Sequence, residues 1–114
     1  MPLFLSQVAY SVEGWQALVS NPQNRVDAIR PVVEKLGGRL INAYFSFGDY
    51  DIILLVEAPD NASAAALVIA AAAGGAVKSI KTTPLLEVSE GLEAIRKAAA
   101  SGYRAPAGAK PASA

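Results

Sequence analysis

The sequence predicts an α+β fold with a four-stranded antiparallel sheet. Its hydrophobic patterns follow the order strand, helix, strand, strand, helix, strand, and one more helical pattern comes after them. The two middle strands flank a Gly-Asp pair that is typical of a hairpin turn. This order of elements places the helices on one face of a single sheet.

The first strand and the first helices precede the hairpin. The stretch "LFLSQVAY" (3–10) is rich in strand formers and predicts a strand, and a helical segment follows around Trp15. The stretch "SNPQN" then interrupts the helical pattern. Asn21, with Pro22 behind it, is a favourable start for the next helix, and the glycines after Leu36 are expected to end it.

Residues 39–58 predict the hairpin. Glycine at the first of two turn positions suits a type II′ turn, which needs a positive φ there, so Gly48 and Asp49 are expected to form the turn. That turn sets the following opposite pairs: Phe47 with Tyr50, Ser46 with Asp51, Phe45 with Ile52, Tyr44 with Ile53, Ala43 with Leu54, Asn42 with Leu55 and Ile41 with Val56.

Side chains alternate between the two faces of this hairpin. The face expected under the helices is almost wholly apolar and carries Ile41, Ala43, Phe45, Phe47, Tyr50, Ile52, Leu54 and Val56. The other face is mixed and carries Leu40, Asn42, Tyr44, Ser46, Asp51, Ile53, Leu55 and Glu57. Tyr50 is therefore expected in the core, and Asp51 on the mixed face.

The second half of the chain supplies the remaining elements. Asp60 caps an alanine-rich helix that ends at a Gly-Gly pair, and "AVKSIKTTPLLEV" predicts the fourth strand. Ser89 is expected to open a last helix, which packs on this subunit or reaches a neighbouring one. We therefore expect a folded domain over residues 1–102 and a flexible Ala/Pro/Gly tail over residues 103–114.

The order of the elements is the ferredoxin-like βαββαβ plan, in which one face of the sheet has no helix cover. Leaving the mixed face in water would expose a large apolar patch. Pairing it with the same face of a second copy buries the aliphatic side chains. The sequence thus predicts a homodimer, or a larger homo-oligomer, with sheet packed against sheet.

Composition narrows the classes of function. Of the 114 residues, 53% are hydrophobic and 18% charged, which also favours self-association. Ten basic residues balance ten acidic ones without a basic run, so no nucleic-acid partner is expected. Cysteine and histidine are absent, which excludes disulfides, thiol and imidazole catalysis and the usual zinc sets, and no metal site is predicted.

The first residues of the chain bear on the cellular compartment of the protein. The stretch "MPLFLSQVAYS" carries no positive n-region, and its apolar run is broken by polar residues, so it does not have the pattern of a secretory signal. We expect a cytoplasmic protein that does not insert into a membrane.

Four ordered segments, "RVDA", "LGG", "GDYD" and "EAPD", resemble the GYD domain family, which is named for a Gly-x-Tyr-Asp signature. The signature reads Gly48, Asp49, Tyr50 and Asp51 in this chain, and the resemblance runs from about residue 3 to residue 88. The family is similar to dimeric α+β barrel proteins, so the resemblance implies a ferredoxin-like subunit that pairs through its sheet. It implies no particular activity.

Five polar residues of the mixed face form the predicted ligand-binding set: Asn42, Tyr44, Ser46, Asp51 and Glu57. Polar groups that converge in an apolar surround are what a pocket requires. Hydrogen bonds across a subunit interface also explain Asn42 and Tyr44, and we favour that explanation for these two residues. Turn geometry explains Gly48 and Asp49, and a core position explains Tyr50, without any ligand. The sequence identifies neither a cofactor nor a catalytic residue.

Three functions fit these features. The first is a small oligomeric binding or accessory protein, which holds a small molecule between its subunits or docks on a larger protein. The second is a cofactor-free oxygenase or isomerase, with Asp51 or Glu57 as general base and Tyr44 or Asn42 stabilising an oxyanion. The third is a structural assembly subunit. We prefer the first, because it needs no catalytic group.

Overall fold

The computed structural model describes residues 1–108. Within them lie four strands and four helices, with the following bounds: β1 Leu3–Tyr10, α1 Val12–Ser20, α2 Arg25–Lys35, β2 Arg39–Phe45, β3 Ile52–Glu57, α3 Asn61–Ala73, β4 Val77–Leu85 and α4 Val88–Ala99. The predicted order of elements is confirmed.

The strands form one antiparallel sheet in the order β2-β3-β1-β4, as the ferredoxin-like plan requires. Its core-facing side is built from alternate residues of each strand, and α2 and α3 cover that side. The buried centre consists of Val8, Val33, Leu40, Ile52, Leu54 and Val56. The opposite side of the sheet, which we call the open face, has no helix over it in a single chain.

The start of α2 differs from the sequence prediction. Asn24, rather than Asn21, is the N-cap, and its side chain accepts a hydrogen bond from the Val26 amide at 3.0 Å. Asn21 instead ends α1, where its amide donates to the Ala17 carbonyl. Both asparagines suit a cap, so the local signal alone did not separate them.

The hairpin register is confirmed only in part. Residues 42–45 pair with residues 55–52 as predicted, but a bulge displaces Ile41, and Leu40 lies opposite Val56. Leu40 therefore faces the core and is buried, where the sequence pattern had placed it on the mixed face. A hydrogen bond of 3.1 Å from the Arg30 guanidinium to the Leu40 carbonyl holds the bulged strand against α2.

The C-terminal helix α4 begins with a capping box between Glu87 and Glu90, one residue before the predicted start. None of its residues is buried in the described part of the chain. The Cα radius of gyration is 18.4 Å, whereas a compact chain of this size has about 13–14 Å. The helix thus projects from the sheet as an arm.

The predicted tail follows this helix. Residues 103–108 are exposed, and the rest of the predicted tail, 109–114, lies outside the described residues.

Among the described residues, no helix has the length and apolar composition needed to cross a bilayer.

Two glycines permit close backbone contacts, Gly38 between the two strands of the hairpin and Gly14 between α1 and the start of β4. A Cβ atom on Gly38 would collide with the Glu57 carbonyl oxygen, and one on Gly14 with the Ala76 carbonyl oxygen. At Gly91, in α4, an added Cβ would meet nothing within 4 Å.

We expect Gly38→Ala to lower the free energy of unfolding by about 1–3 kcal/mol, because the backbone of β2 must move away from β3. Gly91→Ala is the control and should be neutral or raise stability by about 0.5–1 kcal/mol, since alanine favours a helix. Urea unfolding followed by circular dichroism measures both. Equal stabilities would contradict the close approach.

Candidate functional site

The hairpin ends in a six-residue loop, 46–51, rather than in a two-residue turn. Ser46 closes this loop from both its backbone and its side chain: its amide donates to the Asp51 carbonyl at 2.8 Å, and its Oγ donates to the Tyr50 carbonyl at 2.7 Å. Gly48 has φ 147°, so the predicted need for a glycine is met, although in a wider loop. The Gly-x-Tyr-Asp signature thus shapes an internally bonded loop.

Asp51 joins the loop to the end of β1. Its amide donates to the Val8 carbonyl at 2.8 Å, and its Oδ2 accepts from the Tyr10 amide at 2.8 Å. The second bond lies where the pairing of β1 with β4 shifts between Ala9 and Tyr10. The carboxylate is therefore the hydrogen-bond acceptor for the last amide of β1. This bond is a structural reason for an acidic residue at position 51.

The loop exposes aromatic side chains. Phe47 is fully exposed and Phe45 is 66% exposed, whereas the sequence pattern had placed both under the helices. The prediction for Phe47 is wrong because the regular strands stop at Phe45 and Ile52, so alternation does not extend into the loop. Phe45 is paired with the buried Ile52 but is the last residue of the edge strand β2, where it stays exposed. Tyr50, also predicted in the core, is half-buried at the rim. Together with Tyr44, which is 62% exposed, Phe45 and Phe47 form what we call the aromatic tip.

The predicted ligand-binding set does not converge in one chain. Asp51 precedes β3 and Glu57 ends it, which separates them by roughly 20 Å along an extended strand. Ser46 and Asp51 are engaged within the loop, and Glu57 forms an ion pair of 3.0 Å with Arg39. Asn42 and Tyr44, opposite Leu55 and Ile53, are the members that face outward beside apolar neighbours.

The open face alternates apolar and polar rows. In its middle, Leu5 of β1 lies between Leu55 and Thr83. In the next row, Gln7 lies between Ile53 and Lys81. The aliphatic side chains of this face are half-buried by their neighbours. The face is therefore partly apolar, and no part of residues 1–108 covers it.

The helix side of the sheet contains a cavity of about 100 Å³. It is lined by Ser6, Val8, Tyr10, Arg25, Ile29, Ile52, Leu54, Leu67, Val68, Ala71 and Ile80. The alanine-rich α3 presents Ala71 here, a side chain too short to reach α2. An unfilled space of this size costs about 2 kcal/mol of stability.

Sequence reasoning missed this cavity. At its floor, the hydroxyls of Ser6 and Thr82 bond to each other at 2.9 Å, so neither is left without a partner. Burial raises the pKa of the Tyr10 hydroxyl; the Arg25 guanidinium opposes this rise and the Asp51 carboxylate adds to it. The Tyr10 hydroxyl therefore stays neutral at physiological pH. The short α3 side chains were the one signal in the sequence, and they do not locate a cavity without the helix positions.

One family model and one characterised relative match most of this chain. The family model described as "GYD domain" matches residues 4–95. A protein of Thermus thermophilus, named "Glutamine synthetase and cystathionine beta-lyase binding protein", is 30% identical over 80 residues, which cover 70% of this chain and 84% of that protein.

Two solved structures share the fold. The crystal structure of TTHA0845 from Thermus thermophilus superposes with a TM-score of 0.50 at 17% identity and covers 76% of this chain and 95% of that one. The crystal structure of MtbAldR (Rv2779c) gives a TM-score of 0.53 at 15% identity, with coverage of 96% of this chain and 58% of that one. At these identities the likeness concerns the fold alone.

We expect Asp51→Ala to lower the free energy of unfolding by about 1–2 kcal/mol, because the Tyr10 amide loses its acceptor. Asp49→Ala is the matched control: Asp49 is exposed, and its side chain makes no hydrogen bond within residues 1–108, so its replacement should stay within about 0.5 kcal/mol of wild type. Thermal unfolding measures both. If the two variants melt together, Asp51 does not hold the loop.

Proposed function

This chain belongs to the GYD domain family, and on that premise we propose that it is a small accessory protein that docks on a larger enzyme through its aromatic tip. The observation that carries this proposal is the full exposure of Phe47 on an internally bonded loop. Phe45 and Tyr44 come just before it in β2 and are also exposed, Phe45 on the helix side of the sheet and Tyr44 on the open face.

Aromatic side chains at the surface favour a protein interface as the role of this loop. A phenylalanine left in water forgoes about 1.5–3 kcal/mol of burial energy, which a partner with an apolar pocket recovers. Aromatic residues at the centre of an interface contribute much of the binding energy in many complexes. In the described chain, the tip presents two phenylalanines and one tyrosine within four residues of sequence.

The hydrogen bonds of the loop support docking with little loss of entropy. Ser46 closes the loop from within, and Asp51 fixes it to β1 from outside. Ordering a flexible loop on binding costs free energy for each side chain immobilised, whereas this loop is already held. Phe47 is therefore presented on a scaffold that does not have to fold at the interface.

The partner class comes from the relative. The Thermus thermophilus relative is named as a protein that binds glutamine synthetase and cystathionine beta-lyase. We extend that role to this chain. The first candidate partner is the glutamine synthetase of the organism that this chain comes from, and the second is its cystathionine beta-lyase.

We expect Phe47→Ala to weaken binding to the enzyme at least about tenfold, since truncation of an aromatic anchor costs on the order of 2 kcal/mol or more. Melting temperature should not fall, because the side chain makes no buried contacts. Val19→Ala, on the exposed side of α1, is the control and should bind as wild type does. Biolayer interferometry with immobilised enzyme measures all three proteins.

Two outcomes would overturn this proposal. One is binding by Phe47→Ala that equals that of wild type, which would move the docking surface away from the tip. The other is failure of the wild-type protein to bind either enzyme at micromolar concentration, which would remove the role carried over from the relative.

We further propose that the accessory unit is a dimer through the open face. Four strands of about seven residues present roughly 450 Å² per subunit, or about 900 Å² in total, below the 1,200–2,000 Å² of a stable interface. The apolar stripe of α4 (Val88, Leu92 and Ile95) is exposed and follows directly from the edge strand β4. Packing this arm on the second subunit supplies the missing area.

In such a dimer, Asn42 and Tyr44 lie between the sheets. Their neighbours Leu55 and Ile53 would be buried with them. The polar groups would then bond across the interface or line a cavity shared by the two subunits.

We expect the wild-type protein to behave as a dimer and Leu55→Lys as a monomer, because a lysine at the centre of the open face would bury an unpaired charge. Val19→Lys introduces the same charge on α1 and should stay dimeric. Size-exclusion chromatography with light scattering measures the masses, and circular dichroism checks that the variants fold. A monomeric wild type would contradict the dimer.

A further inference from the structure

We propose that the cavity between α2, α3 and the sheet binds a small carboxylic acid with a short aliphatic chain. It lies under the helices, on the opposite side of the sheet from the open face, so this inference does not rest on the docking function. The chain of the ligand would occupy the interior, and its carboxylate would contact Arg25 at the mouth.

The interior of the cavity suits an apolar body. Its walls are aliphatic side chains from both helices and three strands. The hydroxyls of Ser6 and Thr82 at the floor satisfy each other at 2.9 Å. Among the described residues, every buried side-chain polar atom has a partner, so the interior requires no polar group from a ligand.

The volume limits the size of the ligand. A cavity of about 150 Å³ with comparable apolar lining stays dry and accepts benzene, so the roughly 100 Å³ here fits a chain of about four or five carbons. A long fatty acid would not fit. An aliphatic chain in this space gains van der Waals contacts with the lining side chains.

Arg25 at the mouth of the cavity favours a ligand with a negatively charged head group. Arg25 is half-exposed at the first position of α2 and lines the cavity. Its guanidinium donates to Gln23 Oε1 at 2.9 Å, and the ion pairs within residues 1–108 are Arg39 with Glu57 and Lys97 with Glu93. Arg25 thus retains donors and an unneutralised charge for an anion.

Two other side chains near the mouth, Tyr10 and Asp51, are compatible with a ligand that has a negatively charged head group. Tyr10 lines the cavity, and its hydroxyl is a further donor for a carboxylate oxygen. Asp51 is the acidic group near Tyr10, but its Oδ2 accepts from the Tyr10 amide at 2.8 Å. That bond directs the Asp51 carboxylate oxygen to the backbone of β1.

The test uses ¹⁵N-labelled full-length protein and three probes of equal chain length: pentanoate, pentanamide and pentylamine. Each is titrated while two-dimensional NMR spectra are recorded. We expect saturable shifts at Val8, Ile52 and Ala71 with pentanoate, roughly tenfold weaker affinity for pentanamide because the charge-assisted bond is lost, and no saturation with pentylamine.

Three variants locate the site. Arg25→Gln should reduce the affinity for pentanoate to that for pentanamide, whereas Lys35→Gln, the same charge change at the far end of α2, should leave it unchanged. Ala71→Leu should fill the cavity, abolish binding of both probes and raise the melting temperature.

Several results would overturn the inference. These are shifts spread over the surface without saturation, equal affinity for pentanoate and pentylamine, and pentanoate binding that survives Ala71→Leu. An Arg25→Gln protein that binds pentanoate as tightly as wild type would also contradict it.

Discussion

The bonds from Asp51 to β1 are the constraint on which the rest of the hairpin depends. Its backbone amide continues the ladder to Val8, and its carboxylate accepts the Tyr10 amide where β1 leaves register with β4. The chain forms a six-residue loop here, and that loop exposes Phe47 to water rather than placing it under the helices.

The sheet separates two surfaces with different chemistry. On the helix side, the short side chains of α3 leave space above the strands, and the polar groups at the mouth of that space carry a positive charge. On the open side, apolar and polar rows alternate and no element of the described chain covers them. The aromatic tip stands at the end of the hairpin and shares Tyr44 with the open face, so a partner that binds through Phe45 and Phe47 leaves the centre of both surfaces free.

The elements and their order were predictable from the sequence because strand and helix periodicity, the Asp60 cap and the glycines are local signals. The bulge at Ile41 was not, since it depends on the contact from Arg30 to the Leu40 carbonyl. The exposure of Phe45 and Phe47 was not predictable either, because it follows from where the regular strands end. The bond between Tyr10 and Asp51 next to that point joins positions 41 residues apart, so no local signal announces it. The cavity follows from the placement of two helices, which no single stretch of sequence specifies.

Docking through an ordered aromatic tip can be tested by hydrogen–deuterium exchange of the protein alone and in complex with glutamine synthetase. We expect slow exchange of the Ser46 and Asp51 amides in the free protein, because both donate hydrogen bonds. In the complex we expect further protection across residues 44–51. Fast exchange of those two amides in the free protein would contradict the ordered loop. Protection confined to α1 or α3 in the complex would contradict docking through the aromatic tip.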